Sequence, residues 1–347
     1  MKNGLHEYLG ILAEGNTLTQ LQAETAMQMM LSGEVEPVHA AGFLMGLRAR
    51  GEYTEELIGF TRVMRRFATP VEADPDAIDL CGTGGDGTGT FNISTAAAFV
   101  CAGAGAVVAK HGNRSVSSKA GSADVLEALG VQVELGKDGV EYCLDKVGIA
   151  FLFAPFFHPA MRYVMPVRRG LGVRTFFNIL GPLSNPAGVK RQLIGSFNEG
   201  TARKMAEILG ALDAEHIITA HASDGLDEIS LAASTKLFEF QRGGAQGQVI
   251  ETEVVPEDRG ISRASLEALY GGTAEDNARI LMSIFDGETG PRRDIVVLNA
   301  AYGLYTTGRY ASIEDALAAA QESIDSGGAR QKVQQLVEAS NKAPRII

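Results

Sequence analysis

The chain has 347 residues, 45% of them apolar, with 41 glycines and a net charge of −11. Such a composition belongs to a globular protein with a full core, and its acidity excludes a general nucleic-acid or acidic-membrane surface. The first residues, Met1-Lys2-Asn3-Gly4-Leu5, carry no secretory apolar core, and the apolar stretch Thr95 to Ala109 is too short for a membrane span.

Residues 1–72 read as a small helical N-terminal domain. Thr19 with Gln22 makes a capping box, after which Ala23, Ala26, Met27 and Met30 fall on one face. Pro37 opens a second helix, with Ala40, Ala41, Leu44 and Leu47 at helical spacing. Thr54 is expected to cap a third, whose apolar face is Leu57, Phe60, Val63 and Met64. Short amphipathic helices bury little alone, so they are expected to pack on the rest of the chain or on a second copy.

Residues 73–347 read as an α/β domain. Expected strands are Ala77–Leu80, Ala106–Ala109, Val131–Leu135, Ile149–Phe153, Gln192–Ser196, His216–Ala220 and Leu237–Phe240. Helical patterns at Ala123–Leu129, Val140–Lys146 and Thr201–Leu212 lie between them. Ser262–Leu269, Thr273–Asp286, Asp294–Thr306, Ile313–Ser326 and Arg330–Ala339 follow. This alternation predicts a large, mainly parallel sheet flanked by helices, with its ligand at the carboxyl ends of the strands.

The first expected strand runs into Cys81-Gly82-Thr83-Gly84-Gly85-Asp86-Gly87-Thr88-Gly89-Thr90-Phe91-Asn92. Glycines leave no Cβ atoms to keep a ligand away from backbone N–H groups, and a helix pattern follows at once. The order of strand, glycine loop and helix suits a phosphate cradle. Gly82, Gly84 and Gly87 also satisfy the dinucleotide pattern G-x-G-x-x-G. A nicotinamide site would need an acid about 20 residues on, at the end of the next strand. Lys110 ends that strand, and no acid occurs between Asp86 and Asp124. The dehydrogenase reading is therefore set aside.

The second glycine block, Lys110-His111-Gly112-Asn113-Arg114, adds cations. From Lys146 to Asn198 there is no acid, only Lys146, Arg162, Arg168, Arg169, Arg174, Lys190 and Arg191. In so acidic a chain these tracts point to a pocket for an anionic substrate, although Lys146, Lys190 and Arg191 also suit a solvated surface. Asp227-Glu228 closes a loop directly after the strand at His216–Ala220. Adjacent carboxylates there could hold Mg²⁺ or could cap a helix. Cys81, Cys101 and Cys143 have no metal-ligand spacing and read as buried hydrophobes of a cytoplasmic protein.

Together these blocks resemble anthranilate phosphoribosyltransferase. The resemblance also takes in Phe153-Ala154-Pro155, His158-Pro159-Ala160-Met161, Val167-Arg168-Arg169, Gly172-Val173-Arg174-Thr175 and Asn178-Ile179-Leu180-Gly181-Pro182-Leu183. It covers almost the whole chain, departing at Gly170 and Ala222.

The resemblance implies transfer of phosphoribose from phosphoribosyl pyrophosphate (PRPP) to anthranilate, with Mg²⁺, in a homodimer formed through the helical domain and helices from about 160–190. PRPP would be held by Gly82, Gly85, Asp86, Thr90, Asn92, Ile93, Ser94 and Thr95, then by Lys110, His111, Gly112, Asn113, Arg114, Ser117, Ser118 and Ser122. Anthranilate would meet Gly82, Asn113 and Arg168, with His111 and His158 as walls. Ser94, Asp227 and Glu228 would take the metal, and Lys110, Asn113 and Arg168 would be the catalytic positions. The weighed alternatives are a pyrimidine nucleoside phosphorylase, whose usual Lys-Thr-Ser-Ser segment is missing, and a non-catalytic nucleic-acid-binding homologue.

Overall fold

Capping chemistry and apolar spacing set the helices that open the chain. The computed structural model describes residues 4–115, 119–244 and 247–344. They divide into two units, one of Met1–Pro70 with Phe157–Gly188, the other of Val71–Phe156 with Val189–Ile347.

The first unit holds helices α1 (His6–Ala13), α2 (Gln20–Leu31), α3 (Pro37–Arg50) and α4 (Thr54–Arg66). The Thr19–Gln22 capping box forms as expected, with both of its reciprocal hydrogen bonds. Helix α4 corrects one expectation. Tyr53 is its N-cap and Thr54 its first residue, because Glu56 reaches back to take the Tyr53 N–H at 3.0 Å. The same Glu56, 0% exposed, accepts from Leu18 N at 2.8 Å and pairs with Arg50. Phe60, on the apolar face of α4, stacks on Phe176 with ring centroids 4.3 Å apart and meets Phe43 edge-on at 6.1 Å. Burying each such ring contributes about 2–3 kcal/mol.

The second unit is a seven-stranded sheet of order β3-β2-β1-β4-β5-β6-β7. Strands β1 (Ile78–Gly82), β2 (Val108–Gly112), β3 (Ile149–Phe153), β4 (Arg191–Gly195) and β5 (His216–Ala222) are parallel. Strands β6 (Thr235–Gln241) and β7 (Ile250–Val254) complete it antiparallel. Its helices are α5 (Ile93–Gly103), α6 (Ser122–Ala128) and α7 (Lys137–Val147), and the single turn α8 (Ala154–Phe157) follows β3. The first unit adds α9 (Met165–Leu171) and α10 (Phe177–Leu183). The second continues with α11 (Glu199–Ala211), α12 (Ala274–Phe285), α13 (Pro291–Tyr305), α14 (Ile313–Asp325) and α15 (Gly328–Lys342).

Three expectations are corrected here. Val131–Leu135 is not a strand. Val131, Val133 and Leu135 are buried as the alternation implied, but Gln132 N donates to Ser340 Oγ at 3.0 Å and Leu135 N turns back to Val133 O. Period-2 burial is present without a ladder. Ser262–Leu269 is helical only in a 3₁₀ turn at Leu266–Leu269, because Ala264 N and the Arg263 guanidinium bond to the carbonyls of Leu231 and Ala232. The edge strand β7, mostly exposed, was not expected.

Two outcomes follow within the first unit. Glu56→Ala should strip Arg50 and the Leu18 and Tyr53 amides of their buried acceptor and cost about 3–5 kcal/mol, read as a lower urea midpoint. Burial pushes the His158 imidazole down to about 4. The unfolded chain then binds the extra proton between about pH 6.5 and 4, so stability falls as pH falls through that window. His158→Gln should flatten that part of the stability–pH curve.

Candidate active site

The chain leaves β1 toward β2 on one side of the sheet and leaves β4 toward β5 on the other. A crevice opens outside the carboxyl ends of β1 and β4, the switch point of an open α/β sheet. The glycine loop starts there. Gly84, Gly85, Gly87 and Gly89 all have positive φ, from 67° to 76°, so their lack of a side chain is needed for conformation as well as for access. Thr83 N donates to Gly195 O at 2.9 Å, and Phe197 N to Thr83 Oγ1 at 3.0 Å, tying the loop base to the end of β4. Asp86 is engaged inside the loop, accepting from Thr88 Oγ1 at 2.6 Å and Thr88 N at 3.3 Å.

The loop after β5 brings the acid pair into this crevice. No helix follows it, so the capping alternative for Asp227-Glu228 falls away. A Cβ on Gly195 would stand 1.5 Å from the Asp227 carbonyl oxygen, and one on Gly82 would stand 2.6 Å from Asp227 Oδ2. Both strand ends must be glycine for Asp227 to sit there. Gly84 N donates to Asp227 Oδ2 at 2.8 Å, and Ser94 N, in the first turn of α5, donates to Glu228 Oε1 at 3.0 Å. Asn299, buried in α13, fixes the next residue by accepting from Ile229 N at 2.9 Å and donating to Ile229 O at 3.0 Å. Ala222, where the resemblance departed, is a buried strand residue whose carbonyl accepts from Gly225 N, so the turn forms without glycine.

Lys110, 4% exposed, extends its Nζ to Leu80 O at 2.5 Å and Ser94 Oγ at 3.4 Å. Burial pushes Glu228 up to about 8 despite the pull of Lys110 and Ser94. Burial also holds Asp227 well above the usual carboxylate range, with Asp86 and Glu228 adding repulsion. Asp227 and Glu228 are therefore held in a setting that disfavours their charge unless a cation is near. Among the described residues no three His, Cys, Asp or Glu side chains converge on a point. Asp227, Glu228 and Ser94 could offer a metal only a partial set of oxygens, and Mg²⁺ is the ion that would keep waters and take substrate phosphate oxygens to complete it.

At the end of β2, His111 N donates to the fully buried Asp79 at 3.2 Å. The Asn113 carbonyl accepts from Ser122 Oγ at 3.2 Å and from Ala123 N at 3.3 Å, and Asn113 Oδ1 takes Arg114 N. Asn92 Nδ2 donates to Ala120 O at 3.3 Å, just ahead of α6, and Thr90 bridges Tyr270. Ile93 and Thr95 are buried in the first turn of α5. The Arg114 guanidinium turns away to Asp124, Glu127 and Glu134 and over the Phe153 ring at 5.4 Å. Ser117 and Ser118 lie outside the described residues. Lys146 pairs with Asp145 at the surface, whereas the largely buried Arg191 pairs with Asp76 and donates to Thr306 O at 3.1 Å.

In the first unit, His158 is buried, and Arg168 on α9 lies 5.2 Å over the Phe177 ring with one N–H toward Met165 Sδ at 3.7 Å. Burial lowers the Arg168 pKa, and among the described residues no acid pairs with it. Gly170 on the same helix faces open space. Sequence reasoning passed over Asp79, Gly195 and Asn299. Each had a signal: a lone acid in an apolar run, a glycine ending a strand, and an amide inside Ile295-Val296-Val297-Leu298-Asn299-Ala300-Ala301.

Comparison with known proteins bears on what this crevice belongs to. A family model described as "Glycosyl transferase family, a/b domain" matches residues 74–330, and one described as "Glycosyl transferase family, helical bundle domain" matches residues 6–68. The anthranilate phosphoribosyltransferase of Salinibacter ruber is 58% identical over 341 residues, 98% of this chain and 99% of that protein. The crystal structure of the Thermus thermophilus anthranilate phosphoribosyltransferase superposes with a TM-score of 0.89 at 41% identity, covering 96% of this chain and 99% of that one. The Saccharomyces cerevisiae enzyme in complex with PRPP and Mg gives 0.87 at 25% identity, covering 97% and 98%. The chain belongs to the anthranilate phosphoribosyltransferase family, its helical bundle joined to an α/β domain whose acid pair stands at the switch point of the sheet.

Proposed function

We infer that the protein transfers the phosphoribosyl group of PRPP to the amino group of anthranilate, giving N-(5-phosphoribosyl)anthranilate and pyrophosphate in tryptophan biosynthesis. The observation that carries this reading is the meeting of Asp227 and Glu228 with the glycine loop, Ser94 and Lys110 at one crevice. The alternatives are not favoured: the relatives above bear the transferase name, and the acidic chain keeps both carboxylates.

The glycine loop from Gly82 through Gly85 and Asp86 to Thr90, with Asn92, Ile93, Ser94 and Thr95, supplies amide and hydroxyl donors for the phosphates and ribose. Lys110, His111, Gly112, Asn113, Arg114 and Ser122 complete that grip, the Arg114 guanidinium being steadied by Asp124 and Glu127 on α6. Asp227, Glu228 and Ser94 would hold Mg²⁺, which when bound supplies positive charge for the departing pyrophosphate. Lys110, buried beside Ser94, keeps a fixed cation close to the same oxygens.

The amine of anthranilate is neutral at physiological pH. Its lone pair attacks C1 of the ribose with inversion as the C1–pyrophosphate bond breaks, and the proton leaves to water, so placement matters more than a base. For anthranilate the proposed residues are Arg168, whose planar fork suits a carboxylate, and His158 in the first unit, and Gly82, His111 and Asn113 in the second.

We also propose a homodimer formed through the helical unit, where Leu21 (73% exposed) and Val38 (72%) leave apolar surface bare. The proposed setting is the cytoplasm, a reducing compartment suited to three buried free cysteines whose thiols burial pushes upward. No helix among the described residues is long and apolar enough to cross a membrane.

The reading is tested by following anthranilate fluorescence on addition of PRPP with and without Mg²⁺. Loss of signal that requires both is expected, and no loss at any Mg²⁺ concentration would refute it. Asp227→Asn and Glu228→Gln should each raise the Mg²⁺ needed for half-maximal rate by about tenfold or more. Arg168→Ala should raise KM for anthranilate by about 10–100-fold with little change in KM for PRPP, and equal damage to both would remove its assigned role.

A further inference from the structure

The glycine loop is held at its two ends by different parts of the chain. Its near end is fixed by Asp227 and Gly195. Its far end meets a strap that precedes α12. Phe91 N donates to Leu269 O at 3.0 Å and Gly271 N to Gly89 O at 3.0 Å. These two bonds flank the antiparallel bridge Thr90–Tyr270, a pair of the narrow kind in which the side chains stand closest. The approach is tight: a Cβ on Gly271 would lie 2.8 Å from Phe91 Cα and 2.4 Å from Asn277 Oδ1.

The strap has little regular structure of its own and is held from outside. Arg292, in the first turn of α13, donates from Nε to Ala268 O at 3.3 Å and from a terminal nitrogen to Tyr270 O at 3.2 Å. Buried Asn277 donates to Gly272 O at 3.3 Å and Thr273 O at 3.0 Å. One guanidinium thus fixes the carbonyls on either side of Leu269, the residue whose own carbonyl holds Phe91. Asn92 and Ser94 begin α5 directly after that amide.

We propose that Arg292 is a positioning residue for PRPP: acting through the strap Ala268–Gly271, it sets the far end of the glycine loop and the entry into α5. The substrate-binding part of this rests on the function proposed above. A loop with so many glycines has many conformations to lose, and a loop already held at both ends loses fewer of them on binding. The cost of losing Arg292 therefore falls on PRPP and not on anthranilate.

The test compares the wild type with Arg292→Ala and Arg292→Lys. KM for each substrate is measured by anthranilate fluorescence, and amide hydrogen exchange is followed in the peptide spanning Gly89–Phe91. For Arg292→Ala, KM for PRPP should rise about tenfold while KM for anthranilate stays within about twofold, and the Phe91 amide should exchange faster. Arg292→Lys should fall between, since an ammonium keeps the charge but lacks the planar fork that reaches both carbonyls from separate nitrogens. Equal rises in both KM values, or Phe91 exchange unchanged in Arg292→Ala, would overturn the proposal. If the wild type transfers nothing, the transferase reading fails, and the exchange result still decides whether Arg292 holds the loop.

Discussion

Two carboxylates taken out of water at the ends of β1 and β4 are the constraint on which the rest of this site depends. Burying such groups is costly unless hydrogen bonds and opposite charge are supplied. Here Gly84 N, Ser94 N and the Lys110 ammonium supply part of that compensation, while burial still pushes both carboxyl groups upward. The geometry has to be rigid for so little to suffice. Gly82 and Gly195 give way to Asp227, Asn299 holds Ile229 from both sides, and Asp224 closes the loop through Ser230 Oγ at 2.6 Å and Leu226 N at 3.1 Å. In the function proposed above, a divalent cation with substrate phosphate would supply what the protein leaves out.

The cations near the site divide by what surrounds them. Lys110 is carried inward by a central strand and meets a carbonyl and a hydroxyl, so its charge stays available to a ligand. Arg114, four residues on, finds three acids along and beyond α6 and turns to them. Both stood in one basic block of sequence. Sign and spacing were legible there, but the direction of each side chain depends on α6, which lies outside the block.

Much of the framework could be read from local patterns, because caps, apolar periodicity and glycine loops are local physics. The strands at Ile149–Phe153 and His216–Ala222 and the helices after Thr273 and Ser312 follow that rule. The failures are places where distant groups decide. Val131–Leu135 alternates like a strand yet is drawn to Ser340, and the first half of Ser262–Leu269 gives up its helical pattern to bonds with Leu231 and Ala232. In the site, the acid pair and both glycine blocks were visible. The need for Gly195 was not, because it arises from an approach between residues 195 and 227 that no local pattern encodes.

The first unit is assembled from two stretches of chain, Met1–Pro70 and Phe157–Gly188. The stack of Phe60 on Phe176, and the bond of 2.8 Å from Arg65 Nε to Leu183 O, join them. On a ribosome the helices α1 to α4 emerge first, but Phe60 then meets only Phe43 of its ring partners, and Phe176 follows more than a hundred residues later. By the time Phe176 itself emerges, the strands β1 to β3 have emerged ahead of it. The usual N-to-C order of domain completion therefore does not hold, and the helical unit closes only after much of the sheet has been synthesised.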